Sequence, residues 1–133
     1  MKEGEAMREK MRVLVVDDDA GMCETLSAIL EIKGYCVETA GDGHQAVQKA
    51  RMSHFDFVLM DIKMPKLNGA EAYRIMKAEN PDLGIALMTA YARDALVHDL
   101  QKDGTVKIIF KPFDVNEVFD LLVSAERTMG RRG

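Results

Sequence analysis

Apolar positions along this chain follow two different spacings. Short uninterrupted apolar runs occur at Val13-Leu14-Val15-Val16, Phe57-Val58-Leu59-Met60 and Ile85-Ala86-Leu87-Met88, each followed by a polar loop. Four residues are too few for a helix, and a run without alternation predicts a strand buried on both faces. Two less uniform stretches, Tyr35 to Ala40 and Thr105 to Phe110, predict two further strands. Between the strands the spacing changes to three and four. Met22, Leu26, Ile29 and Leu30 predict a first helix, with Gly34 as its stop. Ala46, Val47 and Ala50 mark a second, Ala70 to Ala78 a third closed by Asn80-Pro81, and Ala92 to Lys102 a fourth ended near Gly104. The fifth helix, Val115 to Arg127, carries Val118, Leu121, Leu122 and Ala125 on one face, with Asp114 as its expected N-cap.

Strands alternating with helices imply right-handed crossovers and a parallel sheet covered on both faces: an α/β, doubly wound, flavodoxin-like (βα)5 domain. Charge suggests the strand order. The first, third and fourth strands have charge-free centres, whereas the second carries Glu38 and the fifth Lys107, as solvated edge strands do. Edges at two and five give the order 2-1-3-4-5.

The 133 residues suit one domain, with 47% hydrophobic and 30% charged residues in an ordinary globular balance. The expected division is a disordered N-terminal extension at 1–11, a folded domain at 12–127 and a flexible tail at 128–133. Residues 1–11 lack the apolar stretch of a signal peptide. Eighteen basic against 22 acidic residues leave a net charge of −4, which argues against direct nucleic-acid binding. No apolar stretch approaches the roughly 20 residues that span a bilayer. Cys23 and Cys36 have no metal or redox spacing and read as small core hydrophobes in a reduced cytoplasm. His44, His54 and His98 form no metal spacing and read as solvated, and the ten methionines read as core filling.

Ligands of such sheets bind beyond the carboxyl ends of the strands, where the winding reverses, here between the first and third strands. The first strand ends in Asp17-Asp18-Asp19 and the third in Asp61. Neighbouring strands lie about 4.8 Å apart, so Asp61 shares a crevice with Asp17 or Asp18. Asp19 fits a helix N-cap. For the others, two carboxylates 4 Å apart repel by about 4 kcal/mol at an effective dielectric near 20, so the group needs a cation or shared protons. Hard oxygen ligands of this kind suit Mg²⁺ or Mn²⁺. The fourth strand ends in Thr89 and the fifth in Lys111-Pro112-Phe113. A divalent ion, a lysine and a hydroxyl around a carboxylate form an electrostatic clamp for a transferring phosphoryl group, with Asp61 as the nucleophile.

Val-Val-Asp17-Asp18-Asp19, Leu59-Met60-Asp61-Ile62-Lys63-Met64-Pro65, Asn68-Gly69, Met88-Thr89-Ala90 and Lys111-Pro112-Phe113 together resemble the receiver domain of two-component response regulators, from about Arg12 to Arg127. The 2-1-3-4-5 order is the known order of that family, so the charge argument agrees with an established arrangement. The resemblance implies that Asp61 takes a phosphoryl group from a histidine kinase or a histidine phosphotransfer protein. It implies that Asp17, Asp18, Asp61 and the backbone carbonyl of Lys63 hold Mg²⁺, and that Thr89 and Lys111 bind the phosphoryl oxygens. It also implies a cis Lys111-Pro112 bond, Gly69 closing the loop into the third helix, and an unknown output protein or domain. Output is expected through the fourth helix, fifth strand and fifth helix, a face that could also form a homodimer. A receiver of this kind is not an enzyme, beyond catalysing its own phosphorylation and dephosphorylation.

One position departs from the family. The aromatic switch residue that receivers commonly carry three positions before the lysine is Ile108 here, so the expected switch pair is Thr89 and Ile108. Phe110 shares its strand parity. Lys63 and Tyr91 flank the pocket and are placed to alter the lifetime of the phosphate. Two rival readings use other motifs. Val13 to Val16 followed by Asp17-x-Asp19 looks like the nucleophile motif of haloacid-dehalogenase-type phosphatases. Against it stand Gly21, the lack of an acidic pair after Lys111 and the lack of room for a cap domain. Gly41-x-Gly43-x-x-Ala46 reads as a dinucleotide-binding turn, but it lies on an edge strand, and turn glycines opening a helix explain it more simply.

Overall fold

The computed structural model describes residues 11–132. Five parallel strands form one sheet in the order β2-β1-β3-β4-β5. They are β1 (Arg12–Val16), β2 (Cys36–Ala40), β3 (Phe57–Asp61), β4 (Gly84–Thr89) and β5 (Lys107–Phe110). The helices are α1 (Ala20–Ile32), α2 (Gly43–Met52), α3 (Gly69–Glu79), α4 (Ala95–Gln101) and α5 (Val115–Arg132). The expected fold class and strand order are those observed.

Strand parity divides the core in two. Leu14, Val16, Val58, Met60 and Leu87 face α2, α3 and α4, while Val13, Val15, Leu59, Met88 and Ile109 face α1 and α5. β1 and β3 are buried almost throughout, which is why their sequences show no alternation. β2 alternates, as an edge strand does. Its edge is blunted where Lys49 Nζ donates to the Thr39 carbonyl at 2.6 Å, and Arg12 reaches Glu38 at 2.9 Å. No helix among the described residues is long and apolar enough to cross a membrane.

Local chemistry sets the helix ends. Asp19, Asp42 and Asn68 cap α1, α2 and α3 through their side-chain oxygens, and Asn68 forms a capping box with Glu71. Asp114 accepts from the Asn116 amide as expected, and Gly34 beyond α1 has φ 101°. Several expectations change. α4 begins at Ala95 rather than Ala92, because Asp94 caps it by accepting from the Leu96 amide at 2.8 Å. α5 runs to Arg132 rather than stopping at Arg127, so the helix takes in 128–132, the stretch expected in the tail; Thr128 donates its hydroxyl back to Ser124. Met11, placed in the extension, is buried in the core; residues 1–10 lie outside the described residues. Cys36 is exposed rather than core, since it occupies an outward position of edge strand β2; Cys23 is buried.

Gly69 is where the β3–α3 loop closes on the strand end. Its amide donates to the Ile62 carbonyl at 2.8 Å, and a Cβ there would strike the Asp61 carbonyl oxygen. Backbone cannot yield as a flexible side chain can. Gly69→Ala should therefore cost about 2–4 kcal/mol in chemical denaturation, well above the effect of an ordinary surface substitution. An unchanged midpoint would show that this approach is not tight.

Candidate functional site

The acids at the ends of β1 and β3 converge because the two strands pair in register, Val16 with Met60, which sets Asp17 beside Asp61. Oxygens of Asp17, Asp18 and Asp61 all lie within 4.8 Å of one another. Asp17 and Asp61 are buried and Asp18 is exposed. The Asp17 carboxylate accepts from the Asp19 amide at 3.0 Å and from Lys111 Nζ at 2.8 Å. Beneath it, the buried Cys23 thiol donates to the Asp17 carbonyl at 3.3 Å. Asp19 takes no part in the cluster and caps α1, as its sequence context predicts.

Lys111 delivers the facing positive charge. Its Nζ lies 3.5 Å from Asp61 Oδ1 as well as 2.8 Å from Asp17, and the Lys111-Pro112 bond is cis. Burial lowers its pKa, but the hydrogen bond to Asp17 and the fields of Asp61 and Asp17 outweigh this and raise it, so it stays charged. One lysine does not neutralise three carboxylates. Burial pushes the Asp61 pKa up to about 6, Asp17 adds to the rise, and Lys111 offsets part of it. Three converging carboxylates, one raised well above the ordinary range, form a hard oxygen donor set that could hold a metal ion.

Thr89 ends β4 next to β3, fully buried, with its hydroxyl oxygen accepting from the Tyr91 amide at 2.9 Å. That leaves the hydroxyl proton free for another acceptor. Backbone bonds from Ile62 to the Met88 carbonyl and from Lys111 to the Thr89 carbonyl tie the three strand ends together. Ile108 is half-buried against the α2–α4 side of the core, and Phe110 is exposed. The Lys63 side chain pairs with Asp94 Oδ2 at 2.8 Å and lies 5.7 Å from the centre of the Tyr91 ring. Sequence reasoning missed Asp94, although an Asp immediately before an apolar helical stretch is an N-cap signal.

Gly41 lies in the bend before α2, and Gly43 is the first residue of the helix. A Cβ at Gly43 would meet the Leu67 carbonyl, so close backbone packing accounts for that glycine without a dinucleotide. His44, His54 and His98 are exposed, and His54 pairs with Asp56.

A doubly wound sheet with an acidic, lysine-capped crevice at its switch point defines the class of CheY-like α/β signalling domains. Residues 13–123 match the response regulator receiver domain, and the chain belongs to that family. It is 37% identical over 110 residues to the transcriptional regulatory protein ZraR of Klebsiella oxytoca, covering 83% of this chain and 25% of that protein. It thus spans about a quarter of that relative's length. It is 32% identical to sporulation initiation phosphotransferase F of Bacillus subtilis, covering 86% of this chain and 90% of that protein. Among solved structures, a CheY-like receiver domain protein from Methanospirillum hungatei superposes with a TM-score of 0.86 at 26% identity, covering 94% of this chain and all of that one. The response regulator TrrA of Thermotoga maritima, solved with Mg²⁺ and BeF, gives 0.77 at 31% identity, covering 86% of this chain and 98% of that one. The chain is a receiver domain, a signalling module, and the phosphatase reading finds no support.

The raised Asp61 pKa carries a pH signature. A carboxyl group whose folded pKa lies above its unfolded value supports folding at low pH and loses that support as pH rises through about 6. In metal-free protein at pH 8, Asp61→Asn should raise stability by on the order of 2 kcal/mol, and at pH 4 by close to nothing. Thermal melts in chelator at the two pH values check this; equal effects at both would contradict it.

Proposed function

We propose that Asp61 is the phosphoacceptor of a two-component phosphorelay, loaded by a histidine kinase or a histidine phosphotransfer protein. The observation that supports this most directly is the pairing of buried Asp61 with Lys111 and two further carboxylates at one crevice. An Asp61 oxygen attacks the phosphorus of a phosphohistidine, the P–N bond breaks, and its electron pair leaves with the imidazole. Lys111 swings part of its charge from Asp17 to the transferred group, and Thr89 donates its hydroxyl proton to a phosphoryl oxygen. Asp17, Asp18, Asp61 and the Lys63 backbone carbonyl would hold Mg²⁺ (or Mn²⁺), which neutralises charge on the transferring oxygens. Catalysis by the chain is limited to its own phosphorylation and dephosphorylation.

The unit at residues 12–127 acts in the cytoplasm on an output protein or domain, without contacting nucleic acid itself. Output passes through α4, β5 and α5, the face on which a homodimer would also form, with Thr89 and Ile108 as the switch pair. Isoleucine offers a smaller rotamer change than an aromatic, so Thr89 carries most of the local displacement.

Acetyl phosphate with Mg²⁺, followed by intact mass, should give a single phosphoryl adduct. Asp61→Asn or chelation of Mg²⁺ should abolish it. Beryllofluoride binding, checked alongside, detects a site whose phosphate is lost too quickly to isolate. No adduct and no beryllofluoride binding, or an adduct unchanged in Asp61→Asn, would overturn the assignment.

A further inference from the structure

Lys63 stands two residues beyond Asp61, yet its charge is committed to a different element. Its ammonium pairs with Asp94 Oδ2 at 2.8 Å, while Asp94 Oδ1 accepts from the Leu96 amide in the first turn of α4 at 2.8 Å. One carboxylate therefore both caps α4 and anchors the loop after β3. The Tyr91 ring beside the ammonium, and the Asp94 amide donating to the Tyr91 carbonyl at 3.0 Å, complete the bridge.

Two features make this bridge exchangeable. The Lys63 side chain is 47% exposed, so the ion pair is weakly held and readily yields to a stronger anion. α4 is seven residues long and buries only Val97 and Leu100, so its first turn depends on its cap more than a longer helix would. Residues two apart are separated by at most about 7 Å, and a flexible four-carbon stem lets the ammonium reach either anion. A phosphoryl group offers up to about two negative charges, against one on Asp94.

We propose that Lys63 is shared between Asp94 and the phosphoryl group on Asp61, so that loading Asp61 draws the ammonium away from Asp94 and loosens the start of α4. This rests on Asp61 being the phosphoacceptor. It gives the chain a route from the site to α4 that needs no aromatic at position 108.

The test is a double-mutant cycle on beryllofluoride affinity in Mg²⁺, with beryllofluoride as the phosphoryl stand-in. Asp94→Asn keeps a capping oxygen for the Leu96 amide but releases Lys63, and should tighten binding about two- to fivefold. Lys63→Met should weaken binding by a similar factor, and Asp94→Asn should have no effect in that background. Amide exchange at Leu96 and Val97 should quicken on loading in the native chain and not in Lys63→Met. The acetyl phosphate adduct is measured on the same samples. An adduct on Asp61 without these differences, or an Asp94→Asn effect equal in both backgrounds, overturns the sharing alone. Absence of both adduct and beryllofluoride binding overturns the phosphoacceptor reading and the sharing together.

Discussion

Mutual repulsion among Asp17, Asp18 and Asp61 is the constraint on which the rest of the molecule depends. The sheet holds their oxygens within 4.8 Å of one another because β1 and β3 are adjacent and in register. Such a cluster is unfavourable unless countered, and at neutral pH Lys111 is the one cation paired with it among the described residues. The lysine reaches it from β5, two strands away from Asp61 across β4, through the turn that carries the cis Lys111-Pro112 bond. Strand order, loop shape and charge balance therefore belong to one arrangement.

On the proposed reading, this residual repulsion is what a bound cation would relieve. The excess negative charge favours a divalent cation over a phosphoryl group, and on that reading a bound cation would in turn offset the charge of the transferring oxygens. Asp61, with a pKa near 6, is ionised at neutral pH but strained by burial and by Asp17. The fold holds these groups in place by close packing, with Gly69 against the Asp61 carbonyl and the Cys23 thiol donating to the Asp17 carbonyl. The Lys63–Asp94 pair stands at the rim, where it links the crevice to α4.

Much of this was legible in the sequence because it depends on residue type at strand ends. Val13 to Val16 and Phe57 to Met60 could only be buried strands, and the acids following them could only lie at the carboxyl edge. Glu38 and Lys107 marked the edge strands correctly, since both are exposed there. What escaped was set by local competition or by tertiary contact. The start of α4 moved because Asp94 outcompetes the preceding residues as a cap, and Cys36 turned outward because β2 has only one covered side in that position. The end of α5 moved because nothing in Thr128 to Arg132 is a strong helix breaker apart from a single glycine. The Lys63–Asp94 pair joins residues far apart in sequence, and no spacing rule connects them.

The central claim is that Asp61 is a cation ligand whose proton competes with the metal. Calorimetric Mg²⁺ titration in buffers of different ionisation enthalpy measures that competition directly. At pH 6, near the Asp61 pKa, binding should release about half a proton, falling close to none at pH 8. In Asp61→Asn the release at pH 6 should disappear. Mg²⁺ binding without proton release at pH 6, or release unchanged in Asp61→Asn, would contradict the account.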